Sequence, residues 1–132
     1  MDSYFLAKQA ALLSIEKKAF DVVIIEIKEI ASFTDYFVIC SADSETQVKA
    51  IADYIDEEMK KKGTPVWHSE GYEALRWVLL DFVDVVVHIF HKETRDYYNI
   101  EKLWGDAKIE QINDELENKE TKKKNVRRKT NV

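Results

Sequence analysis

Hydrophobic residues recur at helical spacing in two segments of the chain. The first, residues 3–19, has Ser3 as a candidate N-cap and gathers on one helical face Leu6, Ala10, Leu13 and Lys17. The second opens at Ser44, which has the spacing of a capping box with Gln47, and it ends before Gly63. Its apolar stripe is formed by Val48, Ile51, Ala52, Ile55 and Met59. Both segments are therefore predicted to be amphipathic helices.

Short runs rich in β-branched and aromatic residues predict strands between and after these helices. Val22 to Ile27 and Tyr36 to Ala42 are apolar enough for buried strands, and we expect them to pair. Val66 to Ser69 is a candidate short strand. After the last apolar run, residues 92–98 are expected to be a loop or helical turn, and residues 99–104 a short closing helix.

A hairpin is predicted near the middle of the second half. Trp77 to Asp81 and Asp84 to Phe90 are separated only by Phe82 and Val83. Antiparallel strands often bury one face and leave the other free. We therefore expect this strand pair to offer contact side chains, with the candidates Trp77, Leu79, His88 and Phe90.

The order of the predicted elements indicates the fold class. It is helix, strand, strand, helix, three strands and a short helix, within 132 residues. That length suits one domain, and no apolar run approaches the roughly 20 residues of a membrane span. We predict a single α/β (α+β) domain, residues 1–107, with a mixed, mostly five-stranded sheet flanked by helices. The N-terminus lacks secretory and transit patterns, so a cytoplasmic location is expected.

The charges are distributed unevenly along the chain. Residues 119–132 contain seven Lys/Arg and one Glu, whereas residues 1–118 contain 13 basic and 24 acidic residues. The tail, residues 108–132, is expected to be disordered, with a frayed helix over 108–118, because it is too polar to bury a core. An acidic body is repelled by nucleic-acid phosphates and attracted to basic partners, among which ribosomal and chromatin proteins are abundant.

Motifs for catalysis and metal binding are absent from the sequence. A nucleotidyltransferase on such a sheet needs a Gly-Ser loop and two carboxylates two residues apart on a strand. Asp81 and Asp84 instead bracket a turn, and His88 and His91 are spaced to point to opposite faces. Pairing of Cys40 with a histidine and an aspartate stays open, although a mid-strand position argues against it. We predict no enzyme, no cofactor and no metal site.

Three long blocks resemble the signature blocks of the Iojap family, the ribosomal silencing factors. They are Ser32 to Ile55 (SFTDYFVICSADSETQVKAIADYI), Glu70 to Phe90 (EGYEALRWVLLDFVDVVVHIF) and Arg95 to Ala107 (RDYYNIEKLWGDA). The resemblance implies a domain related in architecture to nucleotidyltransferases but lacking their catalytic loop. This chain departs from the family pattern at Val83, where glycine is usual, and at Glu73-Ala74-Leu75, where a small glycine-rich segment is usual.

The resemblance also implies a function. Family members bind the large ribosomal subunit through its basic protein L fourteen and sterically block joining of the small subunit, which represses translation. Carried over by motif, the partner-binding residues are Glu70, Gly71, Arg76, Trp77, Val78, Leu79, Leu80, Asp81, His88, Arg95 and Tyr98.

Several alternatives stay open at the level of sequence. Alternation puts Trp77 and Leu79 on one strand face and Val78 and Leu80 on the other, and either pair could be core. Arg95 and Tyr98 are either partner contacts or residues that pin the last helix to the sheet. The competing functions are a degenerate nucleotidyltransferase that binds a nucleotide and a homodimer formed by the exposed sheet, the latter also a possible form of the factor off the ribosome. Weak contact between the basic tail and ribosomal RNA is a further expectation.

Overall fold

A computed structural model describes residues 2–112, which form a six-stranded mixed sheet with two long helices packed on one of its faces. The strand order is β3-β4-β5-β2-β1-β6. In chain order, the elements are α1 Ser3–Glu16, β1 Phe20–Glu26, β2 Tyr36–Ala42, α2 Glu45–Lys61, β3 His68–Glu70, β4 Trp77–Asp81, β5 Val85–His91, α3 Lys92–Tyr98, a 3-10 helix Ile100–Trp104 and β6 Lys108–Ile112.

The central pairing of the sheet is parallel, and all other pairings are antiparallel. β2 runs parallel to β5, and β1 pairs with both β2 and β6. The hairpin of β4 and β5 extends the sheet on the other side to the short edge strand β3. The predicted α/β class, the pairing of β1 with β2 and the hairpin are confirmed. The sheet has one strand more than the sequence predicted.

The additional strand lies in the region assigned to the tail. Residues 108–112 pair with β1, with Ile109 opposite Ile25 and Ile112 opposite Val22, so they belong to the domain. The helix expected over 108–118 is wrong for these five residues, because they satisfy backbone hydrogen bonds along an open sheet edge. The rest of the expected tail, residues 113–132, lies outside the described residues.

The two long helices cover what we call the helix face of the sheet. The predicted N-cap of α2 is confirmed, since the Ser44 hydroxyl accepts a hydrogen bond from the Gln47 N–H at 3.1 Å. The capping box is not closed, because the Gln47 side-chain oxygen accepts from the Asp43 N–H and not from Ser44. The N-cap of α1 is Asp2 and not Ser3, because the Asp2 carboxylate accepts from the Tyr4 N–H at 3.1 Å. α1 ends at Glu16, three residues earlier than predicted.

The hairpin turn contains an unfavourable backbone conformation. Three residues separate β4 from β5, one more than the sequence suggested, and Val83 has a φ of 78°. The Asp81 side chain accepts a hydrogen bond from the Val83 N–H at 2.7 Å, and the Phe82 carbonyl accepts one from Asp84 at 3.0 Å. These bonds hold a β-branched residue in a region that glycine prefers.

The opposite side, which we call the open face, carries less cover. α3, the 3-10 helix and the loop with Phe33 lie over part of it, and a second apolar cluster fills the space beneath them. No helix within residues 2–112 is long and apolar enough to cross a membrane. The same residues contain no group of three or more His, Cys, Asp or Glu side chains arranged to hold a metal ion.

Candidate protein-docking surface

The alternation of β4 assigns its side chains to the two faces of the sheet. Val78 and Leu80 are fully buried in the core beneath the long helices. Trp77, Leu79 and Asp81 lie on the open face and are partly exposed. The structure thus decides which of the two pairs is core, a question that alternation in the sequence left open. The prediction that Val78 and Leu80 contact the partner is therefore corrected, because the two long helices cover both side chains.

Aromatic rings form a connected series across the open face, which we call the aromatic band. Neighbouring ring centroids lie 4.5–6.3 Å apart, within the range of favourable aromatic contacts. Trp77 stacks on Phe90 at 4.7 Å and contacts Tyr98 at 5.2 Å. In spatial order, the band comprises Tyr97, Tyr98, Trp77, Phe90, His88, Phe37, Trp104 and Phe33.

The band is buried in its middle and open at its ends. Phe90 and His88 are buried, whereas Tyr97 is 81% exposed and Phe33 is 62% exposed. Leu103, next to Trp104 in the chain, is 76% exposed. A run of apolar side chains that is anchored in the core and reaches solvent at both ends is typical of a protein-binding surface.

His88 is a buried member of the band and bonds to Trp77. The indole N–H of Trp77 donates to Nδ1 of His88 at 3.1 Å. Burial lowers the pKa of His88 to about 3, so the ring is neutral at physiological pH. The prediction of His88 as a direct contact is corrected, because only 4% of the residue is exposed.

Arg95 acts inside the domain. Its guanidinium donates to the Asp21 carbonyl at 2.6 Å, to the Ser41 hydroxyl at 2.9 Å and to the Glu101 carboxylate at 2.7 Å. The residue is buried. The partner-contact assignment for Arg95 is therefore corrected, since these bonds join α3 and the 3-10 helix to β1 and β2.

The other predicted residues surround Trp77 at the sheet edge. Arg76 is near Glu45 and Glu93, at 3.5 and 3.9 Å, and Glu70 pairs with His68 at 2.8 Å. Gly71 has a φ of 92°, and a Cβ there would lie 2.0 Å from the Trp77 carbonyl oxygen. Glu70 and Tyr98 are exposed and Arg76 is partly so. Gly71 thus shapes the backbone beside Trp77.

The sequence interpretation did not identify three exposed members of this surface, Tyr97, Phe33 and Leu103. Each lies in a loop or at the end of a short helix, where apolar periodicity gives no signal. The available signal was a large apolar residue among charged neighbours, as in residues 101–103 (EKL). Such isolated positions are common on protein surfaces, so only the fold shows that Tyr97 and Phe33 form the ends of the band.

The described part of the chain is acidic. Residues 2–112 contain 21 Asp/Glu and 13 Lys/Arg. Asp81 and Asp84 lie at the hairpin end of the open face, and Asp106 follows the 3-10 helix. Charge complementarity therefore favours basic partners for this domain.

A cavity beside β1 and α3 offers little for catalysis. It has a volume of about 600 Å³, and its charged lining residues are Asp21, Glu93, Asp96, Glu101, Lys92 and Arg95. Arg95 already bonds to Glu101 and to the backbone. Cys40 is fully buried, and burial raises the pKa of its thiol to about 12, so it is protonated and enclosed. Its enclosure in the core, together with the raised pKa, argues against the cysteine-based catalytic set left open by sequence.

Comparison with known proteins gives consistent results. The family model described as "Ribosomal silencing factor during starvation" matches residues 1–132. A protein of Bacillus subtilis named ribosomal silencing factor is 44% identical over 109 residues, which cover 83% of this chain and 92% of that protein. Its namesake from Halalkalibacterium halodurans is 51% identical over 92 residues, which cover 70% of this chain and 79% of that protein.

A solved structure agrees with these sequence matches. The crystal structure of a Chromobacterium violaceum protein superposes with a TM-score of 0.77 at 35% identity, over 80% of this chain and 88% of that one. The resemblance stated from the three sequence blocks is confirmed. Since the family model spans the whole chain and the relatives exceed 40% identity, this chain belongs to the ribosomal silencing factor family.

Proposed function

We propose that the protein binds the large ribosomal subunit through ribosomal protein L fourteen and sterically blocks association with the small subunit. This blockade would repress translation in the cytoplasm. The observation that supports the proposal most is the aromatic band, which reaches solvent at both ends and contains the partly exposed Trp77. Family membership independently supports a role in silencing ribosomes.

The proposed mechanism needs a complementary surface and no bond-making step. Large aromatic side chains held rigidly by their neighbours contribute much of the affinity at protein interfaces, and charged groups around them guide association. The proposed contact residues are accordingly those on the open face, Trp77, Leu79, Asp81 and Tyr98, with Arg76 and Glu70 at the sheet edge. Phe33, Tyr97 and Leu103 extend the set along the same face.

Sedimentation tests the proposal. Purified protein is mixed with isolated large subunits at low salt, pelleted through sucrose, and assayed in parallel for its effect on joining with small subunits. Cosedimentation and a lower yield of joined ribosomes are expected, with both effects weakening as salt rises. An excess of free L fourteen should release the protein from the subunits. No pelleting at low salt would contradict the proposal.

The alternative of nucleotide binding has weaker support. Four of the six charged residues lining the large cavity are acidic, and the Arg95 guanidinium is already bonded to protein groups. Phosphates would be repelled from such a site. We therefore expect nucleotide with magnesium to leave the melting temperature unchanged, and a saturable rise would revive this alternative.

The aromatic band also allows a second copy as occupant when the factor is off the ribosome. Light scattering of the free protein across a concentration series measures that self-association. The basic residues 119–132 lie outside the described residues, and we propose that they touch ribosomal RNA electrostatically. A variant ending at residue 118 should then bind large subunits with a smaller salt dependence.

A further inference from the structure

The buried middle of the aromatic band contains a polar side chain that packing does not require. His88 lies between apolar neighbours, at 4.5 Å from the Phe37 ring and 6.2 Å from the Phe90 ring. Because Nδ1 accepts the hydrogen bond from Trp77, the ring proton of the neutral imidazole is on Nε2. Nε2 is buried and has no hydrogen-bond partner among the described residues.

An unsatisfied buried donor lowers stability, so an apolar residue would serve the core better than histidine. What an apolar residue cannot do is accept the hydrogen bond from Trp77. The histidine is therefore explained by Trp77 and not by its own packing.

Trp77 is held from several sides. Phe90 stacks against the indole at 4.7 Å with an interplanar angle of 29°, and Tyr98 lies 5.2 Å away. The ring is only partly covered, and apolar contacts are less directional than a hydrogen bond. The bond to His88 is the one directional contact of the indole in the described structure.

We propose that His88 is a positioning residue, whose Nδ1 fixes the orientation of the Trp77 indole so that its free surface is presented to the partner. The docking consequence rests on the function proposed above, whereas the fixed indole is a property of the free protein. Because the indole N–H is used internally, the partner meets the apolar ring and not a hydrogen-bond donor.

Preorganisation of this kind affects affinity more than fold. An interface side chain that must be ordered on binding lowers affinity by about 3- to 10-fold. The burial-induced drop in the pKa of His88 to about 3 keeps the acceptor nitrogen unprotonated throughout the physiological range.

Two substitutions separate positioning from packing. His88→Leu removes the acceptor and keeps the core apolar, and His88→Asn restores an acceptor close to the position of Nδ1. The readout is the solvent exchange of the Trp77 indole proton in nitrogen-15 spectra of the free full-length protein, assigned by comparison with Trp77→Phe. The second readout is affinity for isolated large subunits.

The expected result is a folded His88→Leu variant whose Trp77 indole proton exchanges about tenfold faster or more, with affinity lower by about 3- to 10-fold. His88→Asn should retain slow exchange and near-normal affinity.

An unchanged rate of indole exchange in His88→Leu would overturn the proposal. Faster exchange with unchanged affinity would also overturn it. If His88→Leu unfolds, His88→Phe replaces it, and unfolding of both would show a structural role instead. Failure of the wild type to bind subunits would overturn the proposed function alone, because indole exchange is measured without ribosomes.

Discussion

Arg95 and Glu101 are joined by two hydrogen bonds to one carboxylate oxygen, at 3.2 Å from Nε and 2.7 Å from Nη2. The remaining terminal nitrogen of Arg95 reaches the Asp21 carbonyl and the Ser41 hydroxyl. One side chain thus connects α3 and the 3-10 helix to β1 and β2. Tyr98, at the end of α3, is held beside Trp77 as a result.

Arg95→Met should destabilise the domain by about 3 kcal/mol, because it leaves Glu101 and two oxygen acceptors without their buried partner. Urea unfolding measures the loss. The matched control is Lys92→Met, which removes an exposed ion pair with Asp43 and should change stability by less than about 1 kcal/mol. Equal effects of the two substitutions would contradict the structural role of Arg95.

Gly71→Ala should cost about 3 kcal/mol, since an added Cβ would lie 2.0 Å from the Trp77 carbonyl oxygen at a φ of 92°. Gly63 is a suitable control. It also has a positive φ, of 85°, but nothing lies within 4 Å of its Cβ position. Gly63→Ala should therefore cost only the backbone strain of about 1 kcal/mol, as measured by the same unfolding experiment. If Gly71→Ala is no less stable than Gly63→Ala, the backbone at Trp77 can move to accommodate the added Cβ.

Val83→Gly should stabilise the domain by about 0.5–1 kcal/mol. The strain energy relieved at a φ of 78° is larger than the free-energy cost of the extra conformational entropy that glycine gives to the unfolded chain. The Val83 side chain is exposed, so little packing is lost. Thermal unfolding detects the change as a higher midpoint, and a lower midpoint would show that the valine contributes contacts that offset its strain.

His88 makes the free energy of unfolding depend on pH. Burial lowers its folded pKa from 6.5 to about 3, so between these values the unfolded chain binds a proton that the folded chain does not. The contribution of neutral His88 to the free energy of unfolding is therefore present above pH 6.5 and is lost as the pH decreases below that value. Between pH 7 and pH 5 the loss from this group should be about 2 kcal/mol.

His88→Phe isolates that contribution from the other titrating groups. Unfolding of wild type and variant is compared at pH 7 and pH 5, and the variant should lose about 2 kcal/mol less than the wild type. Identical pH dependence in the two proteins would mean that His88 is not buried in its neutral form.

The fold was largely predictable because α2 and several strands have clear signals in the sequence. β2 and β4 begin and end at the predicted residues, and α2 has the predicted cap. β6 was missed because its sequence, KIEQI, has few apolar residues and gains its strand conformation from pairing with β1. Tertiary context decided that segment.

The site was predictable only in part. Alternation correctly paired Trp77 with Leu79 on one face, but the face that the helices cover depends on long-range packing. The buried roles of His88 and Arg95 could not be read from the sequence, since their partners Trp77, Asp21 and Glu101 are brought to them by the fold. A polar residue in a signature block can either contact the partner or support the contact surface from inside the domain, and the motif alone does not distinguish the two roles.

The most direct test of the central claim is the affinity of large ribosomal subunits for three forms of the protein at one fixed salt concentration. Trp77→Ala with Leu79→Ala removes the centre of the open face, and Trp67→Ala removes a tryptophan that is 72% exposed but outside the aromatic band. We predict that the double variant binds at least about 30-fold more weakly with an unchanged far-ultraviolet spectrum, and that Trp67→Ala binds like the wild type. A folded double variant with wild-type affinity would contradict the claim that this face is the docking surface.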